Sequence, residues 1–189
     1  MQEKNYRDIL LKKIGFIRII FLGIIGFFTA FMAMAIAVLF YYAHGGNNFS
    51  IYMVLFGLLF FIAVGIFINY FFKSYIEVIN LITENDLENL ERLGESRWWL
   101  DKYLPSFIIY SGKIRVFKLY RQPDLYFNEL SEISIRTNYF SRSRQNKLVI
   151  FKKIKGGSYF FGMDSNPAQQ KHLLDKAVEY NPNVIIKNR

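Results

Sequence analysis

Asp124, Glu129 and Glu132 are the carboxylates whose spacing invites a catalytic reading, as an acid-base set for hydrolysis or proton transfer. Their alternation suits the exposed edge of a strand, and no glycine-rich phosphate loop or nucleophile motif accompanies them. The chain has no cysteine, which excludes disulfides, thiol nucleophiles and thiolate metal sites. Its two histidines, His44 and His172, fall in segments expected on opposite sides of a membrane, so neither a zinc site nor a Ser-His-Asp centre assembles. His172, on the last expected helix with no second ligand nearby, reads as a surface or half-buried histidine. The expectation is a non-enzyme with no metal and no cofactor.

Basic side chains offer a different chemistry. The net charge is +9 over 189 residues, and between Ile133 and Asp164 no acidic residue occurs. That stretch carries Arg136, Arg142, Arg144, Lys147, Lys152, Lys153 and Lys155. Against an anionic lipid leaflet each would contribute about 1 kcal/mol. The same charges suit an acidic protein partner, or they are solvated and balanced by acidic residues elsewhere in the chain. Within the run, 138–146 reads as a mobile loop around Ser141-Arg142-Ser143-Arg144-Gln145-Asn146. Nucleic acid is not expected, because the aromatic residues alternate as core positions and form no exposed stacking platform.

The elements that must position these charges begin in the membrane. Ile19 to Tyr42 and Ile51 to Phe72 are charge-free apolar runs, each longer than the roughly 20 residues a helix needs to cross hydrocarbon. Ala33-Met34-Ala35 and Ala35-Ile36-Ala37 imitate signal-peptide cleavage sites, but the first run continues through Val38-Leu39-Phe40-Tyr41-Tyr42 and is expected to be retained. Lys4, Arg7, Lys12, Lys13 and Arg18 precede the hairpin and Lys73 follows it, while the connecting stretch 43–50 has no Lys or Arg. Both termini are therefore expected in the cytoplasm, with Tyr41, Tyr42 and Tyr52 at the outer boundary and Tyr70 and Tyr75 at the inner one. Neither span contains a charge, so a proton relay or charged transport path has no residues to use.

Gly23, Gly26, Ala30, Ala33 and Ala37 line one face of the first helix as a small-residue seam. Packing of the two helices on each other accounts for it; a homo-oligomer or a larger membrane complex is the alternative. The organisation expected is 1–75 as N-terminal segment and hairpin, 76–97 as an acidic helical connector, and 98–189 as a cytoplasmic domain. In the connector, Thr83-Glu84-Asn85-Asp86 resembles a capping box ahead of Leu87, Leu90 and Leu93, with Gly94 as the stop. Its acids Glu77, Glu84, Asp86, Glu88, Glu91 and Glu95 could dock on the basic domain and fix its orientation.

From Trp98 onward the period changes to two, the strand signal. Phe107 to Leu119 reads as a hairpin about Ser111-Gly112-Lys113, Leu125 to Arg136 as a further strand stretch, and Leu148 to Met163 as a hairpin about Lys155-Gly156-Gly157. Ser165 or Asn166 then caps a helix with Pro167 in its first turn and Leu173, Leu174 and Val178 as its apolar face, ending before Pro182. The fold class expected is an α+β membrane protein with an antiparallel sheet or partial barrel and a C-terminal helix.

On Phe107 to Leu119, Tyr126 to Ile135, Leu148 to Met163 and Asn166 to Tyr180, the chain resembles bacterial pleckstrin-homology-like domains, including the YcxB-like group with two membrane helices before the domain. The strand count reaches five or six where that fold has seven, and Trp98-Trp99-Leu100 could supply another. The resemblance implies a non-enzymatic inner-membrane scaffold that binds a protein partner or lipid headgroups. Lys102 with Lys113-Ile114-Arg115 loosely fits the basic pattern of inositide-binding relatives. The alternative from another class is a membrane immunity protein that neutralises a cognate toxin.

Overall fold

The computed structural model describes residues 6–42, 48–95, 102–118, 122–138 and 147–188. Helix α1 spans Tyr6–Tyr42 and helix α2 Asn48–Leu81, and both are long and apolar enough to cross a membrane. They run antiparallel in a closely fixed register. The Phe28 and Phe61 rings stack at 5.4 Å, a Cβ on Gly57 would lie 3.6 Å from the Met32 thioether, and one on Gly65 would lie 3.4 Å from Ile25. Arg18 donates to the Asn69 side-chain oxygen at 2.6 Å where the apolar stretches end.

Neither helix stops with its apolar run. At about 1.5 Å per residue, the 37 residues of α1 extend about 55 Å, well beyond the roughly 30 Å of a hydrocarbon core. The projecting turns bury Leu10, Ile14 and Ile17 of α1 in one cluster with Phe72, Tyr75, Val78 and Ile79 of α2 and with Ile82 just beyond its end. Arg7 closes the bundle, donating to the backbone carbonyls of Ile79 (3.0 Å), Asn80 (3.2 Å) and Ile82 (2.8 Å) and pairing with Glu84 at 2.7 Å. These carbonyls lack intrahelical partners at a helix end, so a guanidinium fork is well matched to them. Helix α3, Glu84–Gly94, starts at Thr83, whose hydroxyl accepts from Asp86 N–H at 3.3 Å, and it buries Leu87 and Leu90 in the same core.

Among the described residues seven strands follow in two sheets. In the first, β1 (Phe107–Tyr110), β2 (Lys113–Val116) and β3 (Asp124–Tyr126) form an antiparallel meander. The β1–β2 turn puts Ser111 at φ 47° and Gly112 at φ 73°, with the Tyr180 ring 3.5 Å from where a Cβ on Gly112 would stand. The second sheet orders β6 (Ser158–Met163), β5 (Lys147–Lys153), β4 (Leu130–Thr137) and β7 (Ile185–Asn188), with β7 parallel to β4. Helix α4, Pro167–Tyr180, contributes Leu173 and Ala177 to the core between the sheets.

Strand β1 is buried on both faces, which explains its unbroken sequence Phe-Ile-Ile-Tyr. Phe107 and Ile109 enter the core between the sheets, while Ile108 and Tyr110 enter the helical core. Tyr75 stacks on Phe117 at 3.6 Å between ring centroids and donates its hydroxyl to the Pro105 carbonyl. Tyr75, Val78, Ile79 and Ile82 share one core with Ile108 and Tyr110 of β1, so this core spans residues on both sides of the 75/76 and 97/98 positions.

Other sequence expectations shift in detail. Leu125 to Arg136 splits into β3 and β4 at a 3-10 turn, Phe127–Glu129, where the chain crosses from one sheet to the other. Asn181 holds this corner, its amide donating to the carbonyls of Phe127 (2.9 Å) and Leu130 (2.8 Å). Asn166, not Ser165, caps α4, accepting from Ala168 N–H at 2.9 Å. The buried stripe of α4 is Gln169, Leu173 and Ala177, while Val178 is exposed. Val184 and β7 continue beyond Pro182, and the Trp98-Trp99-Leu100 segment lies outside the described residues.

Two outcomes follow from this packing. Tyr75→Ala removes the ring that joins hairpin and sheet and is expected to destabilise the full chain in detergent by about 4 kcal/mol, read from its denaturant midpoint. In a chain without native cysteine, Met32→Cys with Gly57→Cys should crosslink readily under mild oxidation, whereas Gly23→Cys with Gly57→Cys should not.

Candidate functional site

The strand alternation of β2 sends Ile114 and Val116 into the core and leaves Lys113 and Arg115 on the opposite face. Register places Arg115 directly across from Asp124 on β3. Arg115 grips that carboxylate with both edges, Nε to Oδ1 at 2.5 Å and Nη2 to Oδ2 at 2.7 Å. Its remaining nitrogen, Nη1, lies 3.4 Å from Glu77 Oε2 and 3.5 Å from Ser74 Oγ on α2. Tyr110 donates to Asp124 at 3.2 Å, and Lys113 approaches the same carboxylate at 3.4 Å and the Tyr110 ring at 4.7 Å.

The cluster sets the protonation of its own members. Burial alone would raise the Asp124 carboxyl, but the Arg115 hydrogen bonds and the nearby Lys113 outweigh it and hold the group below its usual range. Arg115 is held charged chiefly by its hydrogen bond to Asp124. Burial raises the Tyr110 hydroxyl, keeping it a neutral donor. Asp124 is thus committed as an acceptor inside an ion cluster and is a poor proton shuttle.

Beside this cluster runs a groove of about 280 Å³ lined by Tyr70, Lys73, Ser74, Glu77, Arg115 and Gln122. Both polar atoms of the Gln122 amide are buried there without a hydrogen-bond partner. Lys73 is exposed and forms no ion pair among the described residues, because Glu77, one turn away, is directed to Arg115. Free donors, a hydroxyl and a carboxylate therefore converge on one concave surface. This arrangement can hold a small polar group, and among the described residues it brings no activated nucleophile.

The carboxylates read from the sequence are not an exposed strand edge. Asp124 sits in the ion cluster, and Glu132 has a side chain only 10% exposed, clamped by Lys187 at 2.7 Å and Lys152 at 3.2 Å. The Lys187 and Lys152 hydrogen bonds hold the Glu132 carboxyl below its usual range. Glu129 is the exposed member, with Lys153 3.9 Å away. Among the described residues, no group of three His, Asp or Glu side chains could hold a metal. His172 is half-buried and lines a small cavity with Leu90, Leu93 and Phe107.

The described members of the basic run do not gather into one patch. Lys147 and Lys153 end opposite ends of β5, about 20 Å apart at the usual rise of a strand. Arg136 donates to Ser134 at 3.3 Å and Lys147 to Thr137 at 3.2 Å, while Lys152 and Lys153 face Glu132 and Glu129. Lys155 lines a second groove with Asn128, Glu129, Lys153 and Ile154, of about 290 Å³. Arg142 and Arg144 lie outside the described residues, as does most of the 138–146 loop.

Among the described residues the acidic connector meets Arg7 through Glu84, Arg115 through Glu77 and, at longer range, Lys176 through Asp86. Lys113 and Arg115, loosely matched to an inositide pattern, are occupied by Asp124, and Lys102 packs its methylenes against Gly94. The seam residues Gly23, Gly26, Ala30, Ala33 and Ala37 are all exposed, and a Cβ on Gly23 or Gly26 would meet nothing within 4 Å. The seam therefore faces away from α2, so contact between the two helices does not account for it. The Glu77–Arg115–Asp124 chain went unseen in the sequence; the only signal was alternate basic residues on a strand next to an acidic helix.

Comparison of the chain with protein-family models, with curated proteins and with solved structures finds no match.

The cluster yields a signed pH dependence. A carboxyl lowered by folding adds stability that is fully present above its unfolded value, about pH 3.9, and lost as pH falls through the lower folded value. Asp124→Asn should cost about 2 kcal/mol at pH 7, since hydrogen bonds to a charged group are lost. In thermal melts the gap between wild type and variant should stay constant from pH 7 to 5 and narrow below about pH 4.

Proposed function

We propose that this chain is a non-enzymatic accessory or scaffold protein of the bacterial inner membrane. The hairpin crosses the bilayer with both termini in the cytoplasm, as the lysine and arginine placement favours. The domain then acts as a pleckstrin-homology-like module that docks a protein partner or the anionic leaflet. Sheets of three and four strands with a helix against their common core support that fold reading. One departure is that β7 follows the helix and runs parallel to β4, so the helix is not the last element.

The observation that carries the proposal is the second hydrophobic core, which joins Tyr75, Val78 and Ile79 of the hairpin to Ile108, Tyr110 and Phe117 of the domain. A flexible tether would let the domain search the cytoplasm; this joint holds it at one height and orientation over the membrane. Such geometry suits presenting a surface to something else in or on the same membrane. The outward small-residue seam permits close approach by a neighbouring helix, compatible with a homo-oligomer or a membrane partner.

Crosslinking the tagged chain in its native membrane, followed by detergent extraction, tests the proposal. A specific copurifying protein or a discrete oligomer is expected. A monodisperse monomer with no crosslinked protein would overturn the scaffold reading.

A further inference from the structure

The groove beside Arg115 sits at a particular height. Ile51 to Tyr70 provides the roughly 20 residues that span hydrocarbon, and the Arg18–Asn69 hydrogen bond at 2.6 Å marks its end. Lys73, Ser74 and Glu77 follow within the next two turns, at the level of the headgroups. Sheet order points the same way. Ile108 of β1 lines a cavity with Ile82, Arg115 of β2 meets Ser74 and Glu77, and Gln122, just before β3, lies in a groove with Tyr70 and Lys73. Of the three strands in this sheet β3 is therefore the one nearest the bilayer, and the groove lies beside it.

Charge narrows the ligand. Arg115 is held by Asp124 and faces one Glu77 oxygen at 3.4 Å, so among the described lining residues Lys73 is the cation outside any ion pair, and Glu77, 58% exposed, can still accept. Lys73 and Glu77 stand four residues apart on one helix face, a spacing of about 5–6 Å between Cβ atoms, yet they do not pair with each other. The unpartnered Gln122 amide adds a buried donor and acceptor. Among the described lining residues a polyanionic headgroup would find one cation outside an ion pair, Lys73. A headgroup with one phosphodiester and one ammonium group two carbons away matches both charges. We infer that the groove binds the headgroup of an inner-leaflet ethanolamine phospholipid, with Lys73 and Gln122 donating to the phosphate and Glu77 accepting from the ammonium.

This inference rests on the membrane placement proposed above, but not on a protein partner. The full chain is placed in nanodiscs of mixed ethanolamine and glycerol phospholipids, and the lipid it retains is measured by native mass spectrometry. A retained ethanolamine lipid is expected in preference to the glycerol lipid. Lys73→Ala, at an exposed side chain, should reduce retention about tenfold, as for loss of one charged hydrogen bond. Gln122→Glu should do the same by repelling phosphate, and Glu77→Gln should abolish the preference while keeping a lipid bound.

A folded chain in the nanodisc that retains no lipid, or equal retention by wild type, Lys73→Ala and Gln122→Glu, would overturn the assignment. Equally tight binding of soluble glycerophosphoethanolamine, measured in lipid-free detergent, would assign the groove to a free phosphodiester and overturn the lipid. A chain absent from the membrane fraction of cells would instead overturn the underlying placement.

Discussion

The stack of Tyr75 on Phe117 is the contact on which the rest of the arrangement depends. It exists because α2 continues as helix beyond its apolar run, so that Tyr75, Val78, Ile79 and Ile82 emerge as an apolar stripe with nothing yet to cover it. The projecting part of α1 covers one side of that stripe, α3 another, and the outer face of β1 the third. Each fully buried aliphatic side chain contributes about 1.5–3 kcal/mol, so a core of this size is comparable with that of a small domain. The hairpin and the sheets are thereby one mechanical body.

That joint has an electrostatic lining. Where β2 crosses α2 the outward residues are charged, and Arg115 resolves the conflict by binding Asp124 with one edge and facing Ser74 and Glu77 with the other. A half-buried arginine is tolerable only with its donors satisfied, and here two elements satisfy them. The consequence is a cluster in which Lys113 and Arg115 balance Asp124 and Glu77, beside a groove that Lys73 and Gln122 also line. At Glu132 one carboxylate likewise offsets part of the charge of Lys152 and Lys187. Net charge of a segment is thus a poor guide to the charge it presents.

The two surfaces most conspicuous in the primary structure behave oppositely. The described members of the basic run, Arg136 on β4, Lys147, Lys152 and Lys153 on β5 and Lys155 after it, are spread out and partly paired, whereas the small-residue seam of α1 is left open. The hairpin closes instead through Ile25, Phe28 and Met32, large side chains that meet the glycines and phenylalanines of α2. In α1, smallness marks the face that this chain leaves uncovered.

By itself the sequence determined the features that depend on neighbours in the chain. These include two helices long and apolar enough to cross a membrane, the Thr83 start of α3, the hairpins around Gly112 and Gly156, and α4 with Pro167 in its first turn. Each follows from local periodicity, capping or turn chemistry, which a window of residues contains in full. Tertiary structure alone decided that Leu125 to Arg136 turns a corner at Phe127, that β7 adds beside β4, and that β1 is buried twice. It also decided that Glu77, Arg115 and Asp124 form one chain of charges, and that Gln122 is left without a partner. Those outcomes depend on residues 38 and more positions apart, as Glu77 is from Arg115, meeting across packed faces. No local pattern encodes which of several available carboxylates a buried guanidinium will meet.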